Sequence, residues 1–152
     1  MNIDSKYLLL SYMLIVLILT FDNQKAFAQT IEMLTEWDSA LDLAQKENKN
    51  ILIILTGSEW CAPCKKMDKN VIANPEFQKY AKNELVIFLI DLPGGSLKID
   101  SKVYKDYTHF KEKFQTNALP SLILTEKNGD KIKNLKGKMF DLENVMKQLQ
   151  TK

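Results

Sequence analysis

Cys61 and Cys64 are the only cysteines in the chain, separated by Ala62 and Pro63. That spacing brings two sulfurs within bonding reach, so the pair can pass between a dithiol and an internal disulfide. One thiolate can attack a disulfide in another protein, and the second thiol can then release the mixed disulfide. A purely structural staple gains little here, because a loop this small removes little entropy from the unfolded chain.

The pair needs a turn that holds it. Ile51 to Thr56 is a continuous apolar run bounded by Gly57. It predicts a strand buried on both faces. Gly57-Ser58-Glu59-Trp60 forms the loop, and a helix is expected from Cys61 to about Ala73, with Met67 and Val71 inward. Pro63 falls in its first turn, where a missing N–H costs little. Cys61 then stands at the helix N-terminus, where free N–H groups and the dipole favour a thiolate. Cys64, one turn in, is expected to be more buried and less acidic. This makes Cys61 the expected nucleophile and Cys64 the resolving thiol. Lowering a thiol pKa from about 8.5 to about 7 takes about 2 kcal/mol. A helix dipole supplies about 0.3–1 kcal/mol, so hydrogen bonds to the Cys61 sulfur must add the rest.

The other elements follow from periodicity and turn chemistry. A short amphipathic helix opens near Trp37 and ends at Asn48-Lys49-Asn50. Asn74-Pro75 breaks the Cys61 helix, and Glu76 to Lys82 makes a further one. Leu85 to Asp91 is a second buried strand. Tyr104, Tyr107, Phe110 and Phe114 recur at helical spacing, so 101–114 is a helix whose aromatic stripe serves the core. The strand Ser121–Thr125 turns at Asn128-Gly129 into Lys131–Leu135, and Asp141 to Leu149 closes the chain as a helix. The fold class is α/β, a central mixed sheet flanked by helices.

The N-terminus reads differently. Tyr7 to Phe21 is almost wholly apolar, and Ala26-Phe27-Ala28 follows it. This is the pattern of a signal peptide over residues 1–28, with Gln29 the new N-terminus of a single domain, 29–152. An uncleaved membrane anchor is the alternative. Either way the folded part is expected outside the cytoplasm, periplasmic or extracellular. There a lone close cysteine pair is better explained by redox chemistry than by stapling. The net charge of +2 gives no support to nucleic-acid binding.

This arrangement resembles the thioredoxin family. Trp60-Cys61-Ala62-Pro63-Cys64-Lys65 matches the family's Trp-Cys-x-Pro-Cys-Lys box, and Leu119-Pro120-Ser121 lies where the family has its cis-proline. Asn128-Gly129 and Gly137 fall at family positions too, and together the motifs cover most of Leu34 to Leu149. The resemblance implies a thioredoxin fold and a redox-active Cys61–Cys64 disulfide, with no cofactor and no metal. It implies that Pro120 stands beside the sulfurs, that the Leu119 backbone pairs with an extended client, and that Trp60 and Pro63 shape the site. The Ala-Pro dipeptide is close to the reducing type, so the implied activity is reduction of disulfides in client proteins by a monomer. A membrane thiol-reductant relay is the implied electron source.

The sequence also departs from the family. Leu55 stands where the family has a buried aspartate, and Ile87 where it has a lysine. The segment Leu92–Phe114 is longer than usual, a loop and helix insertion. Glu59 could replace the missing base but reads first as a solvated loop residue. Two other functions compete. Cys61, Cys64 and His109, the only histidine, could belong to a copper or zinc binding or delivery module, although a closed zinc site wants four ligands. A redox-inactive interaction domain that kept the fold is the other.

Overall fold

The computed structural model describes residues 30–95 and 98–151. The expected signal segment, its cleavage pattern and Gln29 lie outside the described residues. Ile31 onward forms one compact unit. Among the described residues no helix is long and apolar enough to cross a membrane.

A five-stranded sheet runs in the order β1-β3-β2-β4-β5. β1 (Met33–Leu34) and β2 (Asn50–Thr56) lie parallel to β3 (Leu85–Asp91) on either side of it. β4 (Ser121–Thr125) runs antiparallel to β2, and β5 (Lys131–Asn134) antiparallel to β4. β2 is central, and Ile51 through Thr56 are all buried. That is why this strand reads as an unbroken apolar run.

Alternation along the strands splits the core in two. On one face Leu52, Ile54, Ile87 and Leu122 pack with Met67, Val71, Phe77, Val145 and Met146. That face carries α2 (Ala62–Met67), α3 (Pro75–Glu84) and α5 (Leu142–Gln150). On the other, Ile51, Ile53, Leu55, Phe88 and Ile123 pack with Ala40, Ala44, Phe110 and Phe114. Those residues come from α1 (Trp37–Glu47) and α4 (Lys102–Phe114). Trp37, Phe88 and Phe110 form an aromatic triad with centroids 4.9–5.2 Å apart, Trp37 edge-on to both phenylalanines and these tilted to each other. The stripe predicted on 101–114 is therefore core at Phe110 and Phe114, with Tyr107 packed against it.

Helix ends follow the capping residues. Asn74 accepts from the Glu76 N–H at 2.9 Å and Pro75 opens α3. Ser101 and Asp141 cap α4 and α5 in the same way. The hairpin turns at Gly129, whose φ is +86° and whose missing side chain leaves room for the Trp37 ring. A bulge lies at Leu124/Thr125, and β5 ends at Asn134, one residue short of the predicted Leu135.

The helix predicted from Cys61 to about Ala73 is not uniform. It is α-helical to Met67 and π-helical over Asp68–Ile72. The wider turn puts both Val71 and Ile72 into the core.

Candidate active site

The site forms where three strand ends meet. Thr56 ends β2 opposite Asp91, the end of β3, and Ser121 begins β4 opposite Leu55. The Gly57–Cys61 turn and the Leu119-Pro120 step therefore leave the sheet at the same end, beyond the carboxyl ends of the parallel strands.

Backbone bonds fix the turn. The Trp60 and Cys61 N–H groups both donate to the Gly57 carbonyl, at 3.1 and 2.8 Å. Cys61 is the N-cap of α2, and its sulfur accepts from the Cys64 N–H at 3.3 Å. This is one of the hydrogen bonds that the Cys61 sulfur was expected to receive. Cys61 and Cys64 are joined in a disulfide, with Cα atoms 5.2 Å apart. Cys61 keeps 7% of its surface exposed and Cys64 none. Pro63 occupies the first turn of α2 on the exposed side.

The Leu119–Pro120 peptide bond is cis. Its loop is fastened by Ser121 Oγ, which donates to the Ala118 carbonyl at 2.5 Å and shares a hydrogen bond with Thr116 Oγ1 at 2.6 Å. Leu119 packs on the aromatic side of the core.

Trp60 is half exposed, and its indole N–H donates to the Leu92 carbonyl at 2.9 Å. The ring lies against Gly57, where a Cβ would stand 2.7 Å from it. Glu59 is exposed but not merely solvated, since its Oε2 accepts from the Gly94 N–H at 2.8 Å. Two bonds thus tie the start of the Leu92–Phe114 insertion to the cysteine turn. We expect Gly57→Ala to push the indole off its seat and cost about 1–3 kcal/mol by overpacking. Faster exchange of the Trp60 indole N–H, read by NMR, checks it; unchanged exchange would contradict the seating.

Beneath the turn the structure places groups that the motif reading passed over. Asp91, at the end of β3, accepts from the Ser58 N–H at 2.8 Å and from Ser58 Oγ at 2.5 Å. Asp68, half buried, has its carboxyl pushed above the ordinary range, first by burial and then by the Asp91 charge. A raised acid keeps its proton to higher pH in the folded state than in the unfolded one. Its contribution to stability therefore falls as pH rises from the ordinary value through the raised one. Thr56 Oγ1 is buried and makes no hydrogen bond. The available signal was helical spacing, since Asp68 lies four residues after Cys64. Leu55 is fully buried toward α1 and α4, and Ile87 is buried on the opposite face.

His109 is exposed on α4, edge-on to Phe110. Among the described residues no three His, Cys, Asp or Glu side chains cluster closely enough to hold a metal ion.

Residues 37–151 match the family model of the thioredoxin-like domain. The chain belongs to the thioredoxin-like family. Two Chlamydia pneumoniae proteins are similar to this thioredoxin-like chain. One is a disulfide bond reductase, DsbH, 25% identical over 100 residues, which are 64% of this chain and 60% of DsbH. The other is a thioredoxin-related protein, DsbJ, 28% identical over 89 residues, 59% of this chain and 25% of DsbJ. The chain thus spans less than two thirds of the length of these curated relatives. Among solved structures, a DsbH oxidoreductase superposes with a TM-score of 0.68 at 20% identity, covering 84% of this chain and 88% of that one. A thioredoxin from Thermus thermophilus gives 0.61 at 14% identity, covering 80% and 86%. These likenesses bear out the thioredoxin fold expected from the motifs.

Proposed function

We propose that the protein is a thiol–disulfide oxidoreductase that reduces disulfides in client proteins. The observation that carries this reading is the Cys61–Cys64 disulfide, in which Cys61 keeps 7% of its surface exposed and Cys64 none. In the reduced protein the Cys61 thiolate attacks a client sulfur, and the Cys64 thiol then displaces the client from Cys61. The Cys64 N–H to Cys61 Sγ contact favours negative charge on the attacking sulfur. Leu119 and Pro120, at the same end of the sheet, form the surface on which an extended client segment lies. Trp60 and Pro63 border it.

Reduction, rather than oxidation, is favoured by the Ala62-Pro63 dipeptide and by the similarity to a disulfide bond reductase. The apolar segment Tyr7–Phe21 and the Ala26-Phe27-Ala28 pattern support export, with residues 29–152 as the working domain. Outside the cytoplasm the dithiol needs a source of electrons, which we assign to a membrane thiol relay. Insulin reduction by the pre-reduced protein tests the activity. The reading expects insulin thiols to appear as Cys61–Cys64 closes; a protein that stays reduced beside intact insulin would refute it.

A further inference from the structure

We propose that Asp68 is the proton acceptor for Cys64 in the step that releases the client, with Asp91 and Thr56 completing a polar pocket under the disulfide. The inference rests on the exchange chemistry proposed above.

Cys64 has no exposed surface in the disulfide form, so a carboxylate beside it is better placed than bulk water to take its proton. Asp68 lies four residues further on, and its N–H bonds to the Cys64 carbonyl, so one full α-turn separates them. Residues at that spacing share a helix face, about 5–6 Å apart at Cβ. Helical side chains lean toward the N-terminus, so the Asp68 carboxyl lies back over the turn that holds Cys64. Met67 and Val71, which share this side of the helix, are buried against the sheet.

The sheet answers with polar groups. Thr56 and Asp91 are register partners at the ends of β2 and β3. By alternation they follow Ile54 and Leu89 onto the α2 face. The Thr56 hydroxyl is buried there without a partner, an uncommon state for a native side chain. Asp91 is fixed by Ser58 of the cysteine turn and acts on Asp68 as a like charge. Both its charge and burial make the Asp68 carboxylate a better base. On its own helix Lys65, Lys66 and Lys69 are exposed, and Lys66 lies over the Phe140 ring. The core residues from α3 and α5 are apolar: Phe77, Val145 and Met146. Glu76, Glu143 and Lys147 of those helices line a surface groove that does not include Asp68.

In the mixed disulfide, Cys61 Sγ is bonded to a client sulfur. The Cys64 thiol gives its proton to the Asp68 carboxylate. The Cys64 thiolate then bonds to Cys61 Sγ, and the bond to the client breaks with the electron pair leaving on the client sulfur. The dithiol has lost two electrons and the client disulfide has gained them. Asp68 returns its proton to the departing thiolate or to solvent.

A thiol of pKa about 8.5 is about 3% ionised at pH 7, so full ionisation by a base gains about thirtyfold. The test uses oxidised glutathione as the client and follows formation and resolution of the Cys61–glutathione mixed disulfide separately. We expect Asp68→Asn to leave formation unchanged and slow resolution about ten- to thirtyfold at pH 7. The deficit should close above about pH 9, where a thiol of pKa about 8.5 is mostly ionised without a neighbouring base. Asp68→Glu should restore most of the rate. Loss of a carboxylate disfavoured by burial should not lower stability at neutral pH, so an unfolded variant is not the expected result. Resolution at the wild-type rate, or slowing by one factor at every pH, would overturn the assignment. A wild-type protein that never forms the mixed disulfide removes the exchange reading itself, a result distinct from failure at Asp68.

Discussion

Cys61→Ser should abolish insulin reduction, lowering the rate at least about 10³-fold, the scale on which loss of a covalent nucleophile acts. The hydroxyl is not ionised at neutral pH, and no second thiol can replace it, because Cys64 is fully buried. Cys64→Ser should fail differently. Cys61 keeps its exposure and its place at the N-cap of α2, so the first attack proceeds. With no resolving thiol the mixed disulfide then accumulates, and mass spectrometry of the quenched reaction should find client attached at Cys61. The opposite pattern, with Cys61→Ser active and Cys64→Ser inert, would reverse the two roles. Equal activity of both variants and wild type would remove the enzyme reading and leave an interaction domain.

The second large effect is on stability. Phe88→Ala should cost about 3–5 kcal/mol, the usual range for emptying a buried aromatic site. Phe88 is fully buried in the middle of β3, between Trp37 and Phe110. Those rings come from α1 and α4, so the cavity opens where three elements meet and can collapse little. Against a typical total of about 5–15 kcal/mol, such a loss leaves a marginal protein. Denaturant titration checks it, and a loss under about 1 kcal/mol would show that the triad repacks around the gap. The cavity lies on the face away from α2. The fraction still folded should therefore reduce insulin at the wild-type rate.

The sequence was most legible where one physical demand dominates. β2 and β3 are buried on both faces, and an unbroken apolar run is the direct mark of that. Asn74-Pro75 and Asn128-Gly129 mark their turns because few residues suit those backbone shapes. β1 left no such mark: Met33 and Leu34 are two half-buried residues, and only pairing with Ile87 and Phe88 makes them a strand. The break at Asp68 was equally hidden, since no Pro or Gly announces the change to a π-turn.

At the site, the motif found the cysteines, Trp60 and the cis-proline. It did not find the bond from Glu59 to Gly94, which depends on where the insertion returns. Nor did it find the Asp68, Asp91 and Thr56 group. Thr56 and Asp91 stand 35 residues apart in sequence, and only the sheet register brings them side by side. Leu55 drew attention to the proton handling of Cys64, but the candidate acceptor stands on the helix rather than on β2.

The redox equilibrium of Cys61 and Cys64 in glutathione buffers decides whether the pair is a reducing dithiol. A reductant should show a midpoint near those of thioredoxin and the glutaredoxins, between about −200 and −270 mV. A midpoint near about −120 mV, the range of a strong oxidant, would contradict it.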